Sequence, residues 1–96
     1  MFEISNVRVD GDAFLGLKAE LPNLPPLVLI VGNKGFMCGY LSIETAESFG
    51  AAAAVVTGVK SVDDALKAEI KSVTSKAKEL GLAPGAVVKG VIGKLA

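Results

Sequence analysis

The chain has 96 residues, of which 51% are hydrophobic and 5% aromatic, and its ten basic side chains balance its ten acidic ones. A chain of this length predicts a single domain, and balanced charge with few aromatic residues argues against a nucleic-acid-binding surface. Histidine is absent and cysteine occurs once, which excludes the usual general base, the commonest metal ligand and every zinc-finger arrangement within one subunit.

The high hydrophobic content predicts a homo-oligomer. A domain of this size buries only about 60–65% of the surface of its extended chain, so one copy has little core in which to hide so many apolar side chains. An interface between subunits is the simplest place to bury the remaining apolar side chains. The alternative is a monomer whose core is built from small side chains.

Nothing in the sequence predicts export or a membrane partner. The N-terminal residues lack the apolar core of a signal peptide, and the two most apolar stretches are shorter than the about 20 residues that a spanning helix needs. A single cysteine also fits a reducing compartment. We therefore expect a cytoplasmic protein.

Residues 1–21 predict a β-hairpin. Asp10 and Gly11 form a strong signal for a tight turn. Before the turn, the apolar side chains change parity near residues 5–6, which predicts a β-bulge there. After the turn, strict alternation predicts one dry face and one wet face. The predicted dry face carries Ala13, Leu15, Leu17, Ala19 and Leu21, and the wet face carries Asp12, Phe14, Lys18 and Glu20.

The middle of the chain predicts a loop, a buried strand, a turn and a returning strand. Residues 21–26 (LPNLPP) must form a loop, because prolines interrupt both strand ladders and helices. The apolar run 27–31 is typical of a strand covered on both faces. Residues 32–35 (GNKG) predict a tight turn in which Gly35 takes the left-handed conformation. Residues 36–41 predict the next strand.

The second half predicts two helices around a further strand. Ser42 is a suitable N-cap for a short helix over residues 43–49. Residues 52–57 predict a buried strand parallel to the preceding one, because the connection is long enough for a right-handed crossover. A long helix follows over residues 61–80, with an apolar stripe at helical spacing.

Glycines mark the expected helix ends, and the last segment is ambiguous. Gly50 and Gly81 are predicted to end the short and the long helix. Residues 86–95 have apolar side chains at helical spacing, and a strand over residues 87–93 is the alternative.

Together these elements predict one α+β domain over residues 1–96, with the hairpin (1–21) followed by an α/β core (27–96). A mixed sheet of about five strands in all packs with a short helix, a long helix and a C-terminal helix.

Two predicted strand-to-helix junctions form the candidate ligand site. They are residues 39–42 (GYLS) and residues 57–61 (TGVKS). If their strands are parallel neighbours, both junctions open at the edge of the sheet where ligands bind in open α/β proteins. Exposed amides and the positive helix ends favour an anion there, such as a small metabolite or nucleotide. The predicted ligand-binding residues are Lys34, Gly39, Ser42, Thr57, Gly58, Lys60 and Ser61. The alternative is a capped helix beside a solvated lysine.

Cys38 is the candidate catalytic residue. Cysteines are among the most buried side chains, so core packing is the plainer interpretation. The alternative is a nucleophile, whose base would be a lysine or a carboxylate such as Glu44 or Asp63.

No metal site is predicted, and the sequence leaves the identity of any cofactor unknown. Asp63 and Asp64 could reach an ion together with Glu44 or Glu47, but adjacent helical positions diverge by about 100 degrees. Their place in the first turn of a helix explains the two aspartates without a metal.

Two stretches, KGFMCGYLSIETAE (34–47) and AAAVVTGVKSVDDAL (52–66), resemble the small prokaryotic proteins grouped as domain of unknown function 1805. The likeness extends from the hairpin to the ending GLAPGAVVKGVIGKL (81–95). It implies a homotetramer assembled through the N-terminal β region, and it implies no reaction. The family's pattern falls on Lys34, Gly35, Cys38, Gly39, Tyr40, Thr57, Gly58, Val59, Lys60, Asp63 and Asp64.

Three functions stay open at this point. The first is a binding module for a small anionic ligand at the two junctions, the second is a structural oligomer without a ligand, and the third is an enzyme that uses the thiol of Cys38.

Overall fold

A computed structural model describes residues 2–20, 22–24, 26–39 and 43–96. The strands are β1 (Phe2–Val9), β2 (Asp12–Ala19), β3 (Leu27–Val31), β4 (Phe36–Cys38), β5 (Ala53–Val55) and β6 (Ser72–Val73). The helices are α1 (Ile43–Ser48), α2 (Val62–Lys67), α3 (Ser75–Glu79) and α4 (Val88–Val91), and a 3-10 turn (Ile92–Leu95) follows α4.

All six strands form one mixed sheet in chain order, from β1 at one edge to β6 at the other. Every neighbouring pair is antiparallel except β4 and β5, which are parallel as predicted and joined through α1. The predicted α+β class is confirmed. The sheet has one strand more than expected, because a segment predicted to be helical supplies β6.

The hairpin is regular throughout. Asp10 and Gly11 have φ angles of 51° and 88°, as a two-residue turn with matching twist requires. The register runs without interruption from Phe2 opposite Ala19 to Val9 opposite Asp12, so the predicted bulge is wrong. No parity change is needed because the apolar side chains of β1 divide between the two faces, with Val9 buried and Ile4 exposed.

The predicted assignment of the two faces of β2 is also wrong. Phe14, expected on the wet face, is buried opposite Val7, whereas Leu15 is exposed. Alternation shows that β2 has two faces, but it does not show which face the helices cover. The buried core lies on the Phe14 side and includes Val7, Val9, Phe14, Val28, Ile30, Met37, Ala65, Val88, Ile92 and Leu95.

The burial of β3 also differs from the prediction, which was a strand covered on both faces. Val28 and Ile30 are buried in the core, as expected for a covered strand. Leu27, Leu29 and Val31 point to the opposite face and are only half-buried. One copy of the chain therefore covers β3 fully on one face.

The turn between β3 and β4 forms where it was predicted, with the N–H of Gly32 donating a 2.8 Å hydrogen bond to the carbonyl of Gly35. Gly35 does not take the predicted left-handed conformation. Glycine is needed at both positions for close packing, since a Cβ at Gly32 would collide with the carbonyl of Leu95 and one at Gly35 with that of Ala52.

The predicted long helix (61–80) is wrong. Ala68 leaves α2 in an extended conformation with ψ of 158°, and β6 follows. The N–H of Lys71 then donates a 2.7 Å hydrogen bond to the carbonyl of Val55. The backbone groups of buried β5 need a partner on that side, and this requirement overrides the helical spacing of the apolar residues.

Helix ends follow the glycine signals. Gly50 and Gly81 have φ angles of 70° and 103°, and each directly follows the last turn of α1 or α3. The last segment is helical, with Val88, Ile92 and Leu95 fully buried, so the strand alternative is wrong. None of the helices formed by the described residues combines the length and apolar character that crossing a bilayer requires.

Candidate binding cleft

The strands β4 and β5, which lead into the two predicted junctions, end at the same edge of the sheet. Because β4 and β5 are parallel, their carboxyl ends lie side by side. The N–H of Val56 donates a 3.1 Å hydrogen bond to the carbonyl of Cys38, and the N–H of Gly39 donates one of 3.1 Å to the carbonyl of Val28. The predicted cap Ser42 and its neighbours, residues 40–41, lie outside the described residues.

The side chains of Ser61 and Asp64 cap the backbone N–H groups at the start of α2. Gly58, with φ of 73°, turns the chain after β5. The N–H of Asp64 donates a 3.1 Å hydrogen bond to the hydroxyl of Ser61, and the N–H of Lys60 donates one of 3.3 Å to the carboxylate of Asp64. With Asp63 beside it, this turn already carries two carboxylates at the positive helix end. A bound anion therefore needs cations from other elements.

A cleft of about 400 Å³ lies between the hairpin and the start of α2, and basic residues are among those that line it. Beside the cleft, Gly16 allows α2 to pack closely on the hairpin, since a Cβ there would lie 2.8 Å from a methyl carbon of Val7, 2.9 Å from the hydroxyl of Ser5 and 3.2 Å from a methyl carbon of Val62. Residues 5 and 16 are paired across the hairpin. The cleft is lined by Glu3, Ser5, Asn6, Val7, Arg8, Lys18, Ser61, Val62, Asp63 and Leu66.

Only part of the predicted site reaches this cleft. Ser61 lines it, whereas Gly39, Thr57, Gly58 and Lys60 are not among its described lining residues. The polar hairpin residues of the cleft, which the sequence did not suggest, are Glu3, Ser5, Asn6, Arg8 and Lys18. Their only sequence signal is a polar side chain on an alternating strand, which ordinarily indicates a solvated face.

Lys34 lies at the opposite end of the parallel pair. Its N–H donates a 2.8 Å hydrogen bond to the carbonyl of Leu95, in the turn that leads into β4. Its side chain lines a separate cavity of about 260 Å³, together with Gly50, Ala52, Lys76, Glu79 and Leu80. The structure therefore does not bring Lys34 to the other predicted residues.

Cys38 lies on the far side of the sheet from the cleft. It is opposite Leu29 and Val55 and is 6% exposed. Met37, the adjacent residue, points the other way into the core below the cleft. The sheet thus separates the thiol from Lys18 and Ser61.

The carboxylates considered for a metal are not gathered in one place. Glu47 accepts hydrogen bonds from the N–H of Ser75, at 3.0 Å, and from its hydroxyl, and these bonds lower the pKa of Glu47 below its ordinary value. Asp63 lines the cleft instead. Within the described part of the chain, no three His, Cys, Asp or Glu side chains are grouped so that they could hold a metal ion.

Comparison with known proteins identifies relatives. Residues 37–95 match the family model described as Domain of unknown function (DUF1805). The uncharacterized protein YunC of Bacillus subtilis (strain 168) is 27% identical over 89 residues, which are 88% of this chain and 88% of YunC. The crystal structure of TA1206, a protein of unknown function from Thermoplasma acidophilum, matches with a TM-score of 0.95 and 37% identity, covering 100% of this chain and 94% of that one. This chain therefore belongs to the DUF1805 family.

Proposed function

We propose that this chain is a cytoplasmic binding module that holds a small anionic metabolite or nucleotide in the cleft between the hairpin and α2. The observation that carries the proposal is that Lys18, Arg8, Ser5 and Ser61 all line one cleft of about 400 Å³. That volume lies within the about 300–1,000 Å³ typical of small-ligand sites.

The chemistry of the cleft suggests what the ligand carries. Lys18 lies on the same face of β2 as the buried Phe14 and brings a positive charge to the cleft. Arg8 lines the cleft from the edge strand β1, where a guanidinium that turned around the edge would suit a phosphate or carboxylate. Glu3 and Asp63 would accept hydrogen bonds from hydroxyl or amino groups of the same ligand. A compound with an anionic group and several donors, such as a sugar phosphate or nucleotide, meets both requirements.

Thermal unfolding in the presence of sugar phosphates, nucleotides and organic acids tests this function. A ligand that binds only the folded chain raises its Tm. We expect that rise to be lost in Arg8→Ala and Lys18→Ala. It should persist in Lys34→Ala, the matched control from the separate cavity.

Two results would contradict the proposal. One is that no compound of the panel raises the Tm. The other is a rise that disappears in Lys60→Ala and persists in Arg8→Ala, which would move the site from the cleft to the rim of β4 and β5.

A second proposed function is a structural one, in which the hairpin joins copies of the chain into a homo-oligomer. The face of β1 to β4 that points away from the core, called here the open face, is apolar except for Asn6 and Arg8 of β1. On it Ile4 is 61% exposed and Leu15 43% exposed. The same face carries Leu17, Leu29, Val31 and Phe36.

Such a face loses its contact with water when a second copy covers it. Phe49, at the end of α1, is 83% exposed and is a further apolar side chain that an interface would bury. The family resemblance implies a tetramer, and light scattering of the purified chain measures the mass. A monomer at micromolar concentration would contradict this second function.

A further inference from the structure

Helix α1 covers only part of the side of the sheet to which the open face belongs. Cys38 of β4 and Val55 of β5 are paired on this side and are buried. α1 contacts β5 and has its own buried residue, Ala46, so it provides this cover. Over β1 and β2 the same side is exposed at Ile4 and Leu15. α1 therefore forms a ridge beside the open face.

Phe49 projects from this ridge toward the open face. Its N–H donates a 3.3 Å hydrogen bond to the carbonyl of Thr45, so it continues the last turn of α1. Glu47 accepts hydrogen bonds from Ser75 of α3, which follows the far edge strand β6. Helical residues two positions apart point about 200° apart. Phe49 thus lies on the side of α1 away from α3, and it is 83% exposed.

Phe49 is also level with the second half of β1 along the strand direction. The carbonyl of Ala52, three residues after it, accepts a 3.0 Å hydrogen bond from the N–H of Phe36. The register continues from Phe36 across β3 and β2 to Asn6. The exposed ring therefore lies at the height of Asn6 and Arg8.

The height of α1 restricts how a second copy can cover the open face. Packed sheets lie about 10 Å apart, and a helix with its side chains is about 10–12 Å across, so a second sheet occupies the same layer as α1. If β1 of the second copy lay over β1, the two α1 helices would collide. A two-fold axis along the strands reverses the strand order instead. It places β1 of the second copy over β3 and beside α1.

We propose that two copies pack open face to open face about this two-fold axis, with α1 of each copy alongside β1 of the other. Phe49 of each copy then contacts the partner's Asn6 and the partner's Arg8. The inference rests on the second proposed function, the homo-oligomer. It adds the orientation of the copies and a contact outside the hairpin.

This arrangement covers the edge strand β1. β1 is eight residues long, has β2 as its one neighbour in the described sheet, and contains neither a proline nor a bulge. Natural proteins usually protect such an edge, because its N–H and C=O groups can pair with another chain, and a covering helix is one means of protection. α1 of the second copy supplies that helix.

The contact also suits the two polar residues of the open face. α1 contains Glu44 and Glu47 and no basic residue, so it favours a cation such as Arg8 nearby. The ring of Phe49 can in addition stack on a guanidinium. Because Asn6 and Arg8 also line the binding cleft, the partner's Phe49 would form part of its rim.

Disulfide formation between copies tests this orientation. Asn6→Cys and Arg8→Cys are each refolded together with Phe49→Cys, and the mixtures are then oxidised. Each variant has one added cysteine, so a mixed disulfide joins two copies, and it requires Cα atoms within about 7 Å. Wild type, in which Cys38 is buried, measures the background. Ala83→Cys, at an exposed residue after α3, replaces Phe49→Cys as the matched control.

We expect a mixed disulfide of Phe49→Cys with Asn6→Cys or Arg8→Cys, and none with Ala83→Cys. Phe49→Ala should also weaken association by at least about tenfold, because it removes a large apolar side chain from the interface. Light scattering over a dilution series measures that change. Phe49→Tyr keeps the ring and should weaken association by less than about threefold.

Three results would overturn the proposal. They are the absence of any mixed disulfide with Phe49→Cys, a disulfide between two copies of Asn6→Cys in its place, and equal association of Phe49→Ala and wild type. The second of these would show that the copies meet edge to edge through β1. If wild type is an oligomer when one of them is found, only the orientation is wrong. If wild type is a monomer at micromolar concentration, the second proposed function fails too.

Discussion

The hydroxyl of Thr74 donates a 2.6 Å hydrogen bond to the carbonyl of Ala51 and accepts one of 3.1 Å from the N–H of Ala53. It also accepts a 3.3 Å hydrogen bond from the N–H of Ala77, as the N-cap of α3. Thr74 is 2% exposed, so these bonds form out of contact with water. The hydrogen bonds of one side chain thus link the start of α3 to the segment that leads into β5.

Replacing Thr74 by valine should destabilise the chain by about 2–3 kcal/mol, because it removes a cap and leaves buried polar groups of Ala51 and Ala53 without this partner. Urea denaturation measures the change. Thr74→Ser is the matched control, since it keeps the hydroxyl and should lose less than half as much. Equal losses for the two variants would mean that packing of the methyl group, and not the hydrogen bonds, is what matters.

Glu47 should make stability depend on pH. The hydrogen bonds from Ser75 lower the pKa of Glu47 below its ordinary value of 4.5. A group whose pKa is lower in the folded state contributes stability above its unfolded pKa and loses it as the pH falls through the folded pKa. Glu47→Gln should therefore lower the Tm slightly at neutral pH, and the difference from wild type should vanish on acidification below 4.5.

Glu79→Gln is the control for that measurement, because it removes an exposed carboxylate from the other end of α3. A pH dependence of equal size in Glu79→Gln would mean that the hydrogen bonds from Ser75 are not its cause. A difference for Glu47→Gln that is equal at all pH values would contradict the role assigned to Glu47.

Local signals predicted the turns and helix ends of this fold, because those depend on a few neighbouring residues. Asp10 and Gly11 close the hairpin, and Gly50 and Gly81 follow helices as expected. The break at Ala68 depends on a distant strand, since Val55 of β5 bonds to Lys71. Helical spacing contains no information about that requirement.

The candidate site was predictable only in part for the same reason. The sequence predicts Ser61 as a helix N-cap, and the structure places it in the cleft. Lys18 reaches it because α2 packs against β2 and β3 on the face that carries Lys18. Arg8 lines it from the edge of β1. Sequence spacing does not determine which strand face a helix covers, and that choice decides which polar residues form a cleft.

Gly35→Ala should destabilise the chain by about 1–3 kcal/mol, because the added Cβ would meet the carbonyl of Ala52 and force the backbone to shift. Gly90→Ala provides the matched control within α4, where a Cβ meets no atom within 4 Å. That variant should be stabilised by up to about 1 kcal/mol, since alanine favours a helix over glycine. Denaturant midpoints distinguish the opposite signs, and a stable Gly35→Ala would contradict the close approach.

Cys38 should react slowly with alkylating reagents in the folded chain. Its side chain is 6% exposed, so a reagent reaches it mainly when the structure opens. Mass spectrometry after iodoacetamide treatment should show modification at least about tenfold slower in buffer than in urea. Equal rates would show an accessible thiol and would revive the hypothesis of a thiol enzyme.

The open face gives the last prediction, which concerns Leu15. Leu15→Lys should lower the molecular mass measured by light scattering, because assembly would then bury a charge without a partner. The single chain should stay folded, since Leu15 points away from the core that contains Phe14. Ala83→Lys adds the same charge at an exposed residue after α3 and should leave the mass unchanged. If Leu15→Lys keeps the mass of the wild type, copies of the chain do not associate through this face.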